Sequence, residues 1–297
     1  MPNSNHTVND IVIRPARSED KAAVIEFCQH TWKDAEDYIP YVWDKWFADL
    51  SGEIFVAVLR ERPVAMARAV QLSQQEGWWE GLRVDPQYRR LGLARVLEAH
   101  ISQYLQQAGV TIIRCCVATW NTAVQPFMEQ QGYCKIDNYI AYQATALDSP
   151  TPQISKLRLE SFDAAWSLFK QSQTNRLFVC RGAKWQALTA QVLRDRLNQG
   201  LVWGIEQAGV LQSVFLQSHL ESSNETLWVG CVEGRADSVS LLLSEMRHLA
   251  HQQGYQTVSG FFPNREPLLK ALQKAEYQLI PGEEFWIYEK LLQSDRL

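Results

Sequence analysis

The sequence predicts an α/β (α+β) chain in which one domain pattern occurs twice. Three observations lead to this. Short runs with strand periodicity alternate with helical runs along both halves of the chain. A segment of linker composition, Leu147-Asp148-Ser149-Pro150-Thr151-Pro152, stands near the middle. After it the pattern restarts: setting Gly109 on Gly254 (254 − 109 = 145) also sets Leu82 on Leu227 and Val84 on Val229. So long a period marks repetition of a whole domain rather than a solenoid unit. The expected organisation is a first domain over 11–147, a linker over 148–153 and a second domain over 154–292.

Bulk properties narrow the function. The chain has 297 residues, 46% hydrophobic and 21% charged, an ordinary globular composition. Net charge is −4, from 29 basic and 33 acidic residues. That balance argues against nucleic acid or an anionic membrane as partner and suits a small anionic ligand near local arginines. No run approaches ~18 uninterrupted apolar residues, so no membrane span is expected. Residues 1–10 lack an apolar core of the secretory type. The cysteines Cys28, Cys115, Cys116, Cys134, Cys180 and Cys231 show neither CxxC pairing nor histidines at zinc spacing. They read as reduced thiols of a cytoplasmic protein, with no metal site.

The first half opens with a strand over 11–16, ended by Pro15. Ser18 is a candidate N-cap for a helix from Lys21 to Gln29. Thr31 to Leu50 is rich in aromatic residues and carboxylates: Trp32, Tyr38, Tyr41, Trp43, Trp46 and Phe47 among Asp34, Glu36, Asp37 and Asp44. Ile39, Val42, Trp43, Trp46, Phe47 and Leu50 recur at helical spacing, with Pro40 suited to the first turn. Trp46 reads as core. Asp37, Tyr38 and Trp43 carry two readings, core or a surface for a cationic amine or imidazole. A hairpin follows, Glu53 to Leu59 and Val64 to Val70, joined through Arg60-Glu61-Arg62-Pro63. Trp78 to Val84 is the next strand. Val110 to Thr119 is a nearly continuous apolar run, as in a central strand. Then come Asn121, a helix to Gln131, Gly132-Tyr133, and a strand pair or arm from Cys134 to Ala146.

The centre of the half is Glu80 to Gly109. Leu82 and Val84 alternate with Gly81 and Arg83, Asp85-Pro86 ends the strand, and a helix runs to Gln107. Between them lie Arg89, Arg90, Leu91, Gly92, Leu93 and Ala94. The opening N–H groups of a helix lack partners and carry the positive end of the dipole, so they suit a phosphate. Gly92 and Ala94 allow close approach, and the arginines add charge.

This run resembles motif A of the GNAT superfamily of N-acetyltransferases, Gln/Arg-x-x-Gly-x-Gly/Ala, with Arg89, Gly92 and Ala94 at the defining places. The Rossmann and Walker patterns are both absent. The resemblance implies two tandem GNAT folds, each a mixed, mostly antiparallel twisted sheet flanked by helices. It implies acetyl-CoA as cosubstrate, its pyrophosphate on the amides of Arg89 to Ala94 and its pantetheine arm along Leu82, Arg83 and Val84. Asn121, Glu129, Gly132 and Tyr133 resemble motif B, which adds Asn121 and Phe127 to the cofactor side. Many members place an acidic tyrosine seven residues after that asparagine; here the position is Met128, which cannot donate a proton. In the family the stretch around Asp37, Tyr38 and Trp43 forms the acceptor side. Asp37-Tyr38-Ile39-Pro40, Trp46 and Glu80 to Val84 resemble the histidine N-acetyltransferase branch, which implies a free amino acid such as histidine as acceptor.

The second half reads as strand Ile154 to Leu159, helix Phe162 to Gln171, a helical insertion over Arg181 to Arg196, and a hairpin about Gln207-Ala208-Gly209. Strand Thr226 to Cys231, helix Ser238 to Gln252 and strand Thr257 to Phe261 follow. Arg89, Gly92 and Ala94 fall on Gly234, Asp237 and Val239. Asp237 as N-cap would occupy the N–H groups a phosphate needs and would repel it. The second copy is therefore expected to keep the fold without the acetyl-CoA site.

The expected chemistry is direct acetyl transfer to a primary amine of a small molecule. Such an amine is mostly protonated at neutral pH, with values of roughly 8 to 10. Glu80, on the strand before the motif, is the candidate base; its alternative is an exposed carboxylate at a strand edge. A backbone N–H near Leu82 would meet the oxyanion. The rival functions are a peptide or protein N-acetyltransferase and a non-catalytic acyl-CoA sensor. A monomer or homodimer fits either.

Overall fold

The structure, a computed structural model, describes residues 11–32, 36–148, 153–171, 177–218 and 225–292. Two compact units divide the chain: one comprises 1–115, 126–134 and 289–297, the other 116–125 and 135–288.

In the first unit, β1 (Val12–Pro15), β2 (Gly52–Leu59), β3 (Arg62–Gln71) and β4 (Glu76–Val84) form an antiparallel run. The β2–β3 hairpin turns at Arg60 and Glu61, both left-handed (φ 49° and 67°), the geometry that matches strand twist. Strand β5 (Ile112–Ala118) joins β4 in parallel, and the crossover is α3 (Leu93–Gln107). Leu93, Leu97, Ile101 and Leu105 line the buried face of α3 at helical spacing. Helices α1 (Lys21–Cys28) and α2 (Ile39–Ala48) close a separate core of Val24, Phe27, Ile39, Trp43, Trp46 and Met66. Trp46 is core, as expected. Ser18 does not cap α1. It starts a 3-10 turn, Ser18–Asp20, in which the Arg17 N–H donates to Asp20 Oδ2 at 2.7 Å.

The last residues of the chain also belong to this unit. Strand β14 (Gln278–Leu291) ends beside β5, where the Leu292 N–H donates to the Thr111 carbonyl at 2.8 Å. Arg114 donates to Glu289 at 2.7 Å and also pairs with Glu76. Lys290 donates to the buried Glu98 of α3 at 2.9 Å, and Glu98 also accepts from Ser102 and Tyr133.

In the second unit the strands run β14, β6 (Cys134–Thr145), β13 (Thr257–Pro263), β12 (Thr226–Gly234), β11 (Val210–Gln217), β10 (Val202–Gln207), β7 (Ser155–Lys156). The β12–β13 pair is parallel with α7 (Ala236–Gln252) as crossover, while β6–β13, β11–β12 and β10–β11 pair antiparallel. The offset of 145 carries β5 (112–118) onto β13 (257–263), and Gly109 and Gly254 both end their helices in the left-handed region. Helix α5 spans Phe162–Gln171, as the pattern predicts.

Two expectations here are corrected. The strand over 154–159 shrinks to Ser155–Lys156, because Leu157 turns into the core and a 3-10 turn begins at Leu159. The region 181–196 is not one helix: β8 (Leu177–Arg181) and β9 (Lys184–Ala187) form a hairpin first, and only α6 (Ala190–Asn198) is helical, capped by Thr189. Of the two readings for the end of the first half, a strand pair or an arm, the arm holds: Cys134–Thr145 is a single strand. Linker positions 149–152, and Asp34, lie outside the described residues.

Candidate active site

The site grows from a defect in β4. Met66 faces Arg83 and Arg68 faces Glu80, so β4 carries one residue more than β3 across this interval. The extra residue is a β-bulge at Gly81, with φ +70°. A side chain there is barred twice, by the left-handed backbone and by the Trp46 ring, 2.7 Å from where a Cβ would stand. The parallel ladder between β4 and β5 spans Glu76–Trp78 against Ile112–Arg114, so the stretch from Trp79 to Val84 lies beyond it.

After Val84 the chain enters a loop. Buried Asp85 accepts from the Gln87 N–H at 2.9 Å and closes a single 3-10 turn, Pro86–Tyr88. Arg90 (φ +65°) and Gly92 (φ +79°) then turn the backbone into α3. Gly92 is the N-cap, with no side-chain hydrogen bond to the helix, and the first turn of α3 holds no acid. A Cβ built on Gly92 would meet nothing within 4 Å. The glycine is thus required by its dihedral, and the space over the helix start is open. The first N–H groups of α3 have no carbonyl of their own helix to reach.

Around this core the predicted residues divide. Leu93 is buried, so it can offer a ligand only its backbone, while Leu82, Val84, Leu91 and Ala94 are half-buried. Arg89 and Arg90 are exposed, and Arg89 donates to the Thr31 carbonyl at 3.3 Å. Phe127 is half-buried on α4 (Gln125–Gln130). Asn121 lies in the second unit, its N–H on the Ala118 carbonyl at 2.9 Å.

The acceptor-side residues also divide. Asp37 is buried and holds Arg83 by two bonds, Nε to Oδ2 at 2.6 Å and Nη2 to Oδ1 at 3.0 Å. Its Oδ1 also accepts from the Ile39 N–H at 3.0 Å, at the start of α2. The Arg83 guanidinium lies 5.4 Å from the Trp32 ring centroid and 5.0 Å from that of Tyr38. Burial alone would lower the Arg83 pKa, but the Asp37 bonds and nearby negative groups raise it. Trp43 is buried and stacks on Phe47. Tyr38 is 45% exposed and meets Trp46 edge-on.

Glu80 sits just before the bulge, its Oε1 accepting from Arg68 Nη1 at 2.9 Å. Arg68 is buried on β3, and its Nη2 donates to Asp49 Oδ2 at 2.6 Å. Neither Arg68 nor Asp49 emerged from the sequence. The available signal was an arginine inside the apolar run Val64-Ala65-Met66-Ala67-Arg68-Ala69-Val70, all of it buried. Met128 is buried, and the buried Tyr133 hydroxyl donates to Glu98 at 3.1 Å. Burial of Tyr133, with the negative groups near it, pushes its pKa well up. Burial likewise pushes the Cys28 thiol to about 12, with Asp37 adding to the rise and Arg83 opposing it.

Known proteins can now be set beside this geometry. Residues 21–133 match the model of the Acetyltransferase (GNAT) family. That stretch is similar to a GNAT acetyltransferase domain. Solved structures extend the likeness over nearly the whole chain. A GCN5-related N-acetyltransferase from Sphaerobacter thermophilus aligns at 15% identity and TM-score 0.65, covering 97% of this chain and 98% of that one. An acetyltransferase from Thermoplasma acidophilum aligns at 16% identity and TM-score 0.57, covering 95% and 100%. A tandem GNAT protein from the clavulanic acid biosynthesis pathway aligns at 13% identity and TM-score 0.53, covering 96% and 100%. At these identities the likeness carries the fold. Among curated proteins no sequence matches.

Acetyl-CoA is the cosubstrate of the GNAT family, and the residues present fit it. The uncapped start of α3, the open space over Gly92 and the acid-free first turn suit a pyrophosphate. Among the described residues, no group of three or more His, Cys, Asp or Glu could hold a metal ion, and no helix is long and apolar enough to cross a membrane.

Proposed function

We propose that the GNAT domain acetylates the primary amine of a small molecule, with a free amino acid such as histidine as the acceptor class. The observation that carries the cofactor side is the start of α3, where Gly92 leaves the first N–H groups uncapped beneath open space. The backbone from Arg89 to Ala94 holds the diphosphate, and the β4 segment past Trp78 holds the pantetheine arm. Bound acetyl-CoA supplies an activated thioester.

Glu80 takes the proton from the ammonium acceptor, directly or through one water, so that the neutral amine attacks. A backbone N–H beside Leu82 stabilises the negative charge that develops on the carbonyl oxygen. Tyr38, the exposed member of its aromatic group, contacts the acceptor. Asp37 and Trp43 act from beneath, fixing Arg83 and the start of α2. The departing thiolate is a stable enough leaving group to be protonated by water.

Titration calorimetry with acetyl-CoA, followed by thiol release over a panel of free amino acids and simple amines, tests this. Saturable acetyl-CoA binding with turnover on free amino acids is the expected result. Acetylation confined to peptide N-termini would overturn the small-molecule assignment.

A further inference from the structure

We propose that Arg68 is a positioning residue of the acetyl transfer, holding the Glu80 carboxylate through a buried clamp anchored on Asp49. The inference rests on the reading of Glu80 as base. It concerns what makes Glu80 able to act.

The geometry is specific. Arg68 sits in β3 with its side chain 2% exposed, and separate nitrogens reach two carboxylates: Nη1 to Glu80 Oε1 at 2.9 Å and Nη2 to Asp49 Oδ2 at 2.6 Å. The Trp46 ring covers the guanidinium at 5.1 Å from its centroid. Gly52 leaves room for it: a Cβ there would stand 2.8 Å from Nη2 and 2.6 Å from the Ala69 carbonyl oxygen. A third carboxyl, Glu53 on β2, also feels Arg68; burial pushes its pKa up and the guanidinium opposes the rise.

A fold needing only a filled core would place an apolar side chain at this position. A buried ion pair often contributes no more stability than well-packed apolar residues of the same volume. The planar fork instead supplies fixed geometry at two carboxylates. Glu80 is the more accessible end of the β3–β4 contact, at 15% exposure, and stands one residue before the Gly81 bulge. Asp49 follows directly on α2, whose first turn carries Tyr38 at its N-cap. One guanidinium thereby ties the proton acceptor to the helix that carries the acceptor-side aromatics. No bond is made or broken at Arg68; its effect is on where the Glu80 oxygens sit.

The test uses full-length protein with Glu carboxyl carbons labelled with 13C, the Glu80 resonance being assigned by its loss in Glu80→Gln. The expected result is that Arg68→Met shifts the Glu80 resonance at constant pH, since its hydrogen-bond donor is gone, and lowers kcat on the best amine by about 10- to 100-fold while leaving the KM for acetyl-CoA unchanged. An unmoved resonance or an unchanged kcat would overturn the proposal. Should Arg68→Met fail to fold, Arg68→Lys keeps a charge without the fork and is expected to act in the same direction. In the Glu80→Gln background the same substitution should change kcat no further; a persisting loss would also overturn the proposal. If Glu80→Gln alone leaves turnover intact, the base assignment fails. The Glu80 resonance still decides whether Arg68 holds Glu80.

Discussion

The junctions β4–α3 and β12–α7 occupy equivalent places in the two halves and differ in what lies between strand and helix. From Val84 to Leu93 the first junction has room for a 3-10 turn, two arginines and a left-handed glycine. In the second, β12 runs on to Gly234 and α7 starts at Ala236, so Arg235 alone connects them. Asp237 is not the N-cap that its spacing suggested. Arg235 is, and Asp237 stands in the first turn, where its charge complements the dipole. The second junction thus lacks the loop of the first and carries an acid in its first helical turn. Neither helix start has a side-chain cap, so what separates them is the preceding loop and the charge of the first turn.

The largest expected effect comes from the end of the chain. Removing residues 289–297 takes Glu289 from Arg114 and Lys290 from Glu98, each buried in the first unit. Breaking buried pairs of this kind costs about 3–5 kcal/mol. Urea unfolding should show that loss, and acetyl-CoA binding should fall with it. An unchanged midpoint would mean that the first unit needs only its own half of the chain.

Next is Gly92→Asp, which places a carboxylate at the start of α3. It would cap the free N–H groups and repel the diphosphate, weakening acetyl-CoA binding by about 100-fold, or roughly 3 kcal/mol. Calorimetry checks it, with circular dichroism to confirm that α3 persists. Undiminished affinity would remove α3 as the diphosphate site.

A smaller effect probes the edge strand of the first unit. Asp20 accepts from Arg14 at 2.7 and 2.9 Å and from the Arg17 N–H. Burial pushes its pKa up, but those bonds outweigh burial and hold it below the ordinary carboxylate range. A depressed folded pKa means that the stabilisation is present above about pH 4 and is lost as pH falls through the folded value. Asp20→Asn should therefore destabilise by about 1–2 kcal/mol at pH 7, with the difference shrinking in acid. A pH-independent difference would contradict this.

The smallest effect is the reciprocal of the second. Asp237→Asn should cost α7 less than about 1 kcal/mol and create no acetyl-CoA site, because the loop is missing. A second molecule of acetyl-CoA bound per chain would break the comparison.

Much of the fold was legible because its signals are local. Gly109 and Gly254 end helices at one offset because each must adopt a left-handed backbone. The motif residues stand between a strand and a helix because Asp85-Pro86 and Gly92 punctuate the chain there. The weaker readings had competing physics. The stretch 181–196 mixes charge with short apolar runs, and its β8–β9 hairpin turns about Gly182 (φ +52°), which periodicity alone does not register. Asp37 could have faced a ligand or the core; Arg83, 46 residues away, decided for the core.

By itself the sequence determined the repeat and the strand–loop–helix of the first junction. Each of these follows from backbone preference and spacing within a few residues. Only the tertiary structure decided that Arg68 would clamp Glu80 to Asp49, that Arg83 would hold Asp37, and that Glu289 and Lys290 would complete the first unit. The reason is that a buried charge takes its partner from strand register and packing, and these bring together residues that no local pattern relates.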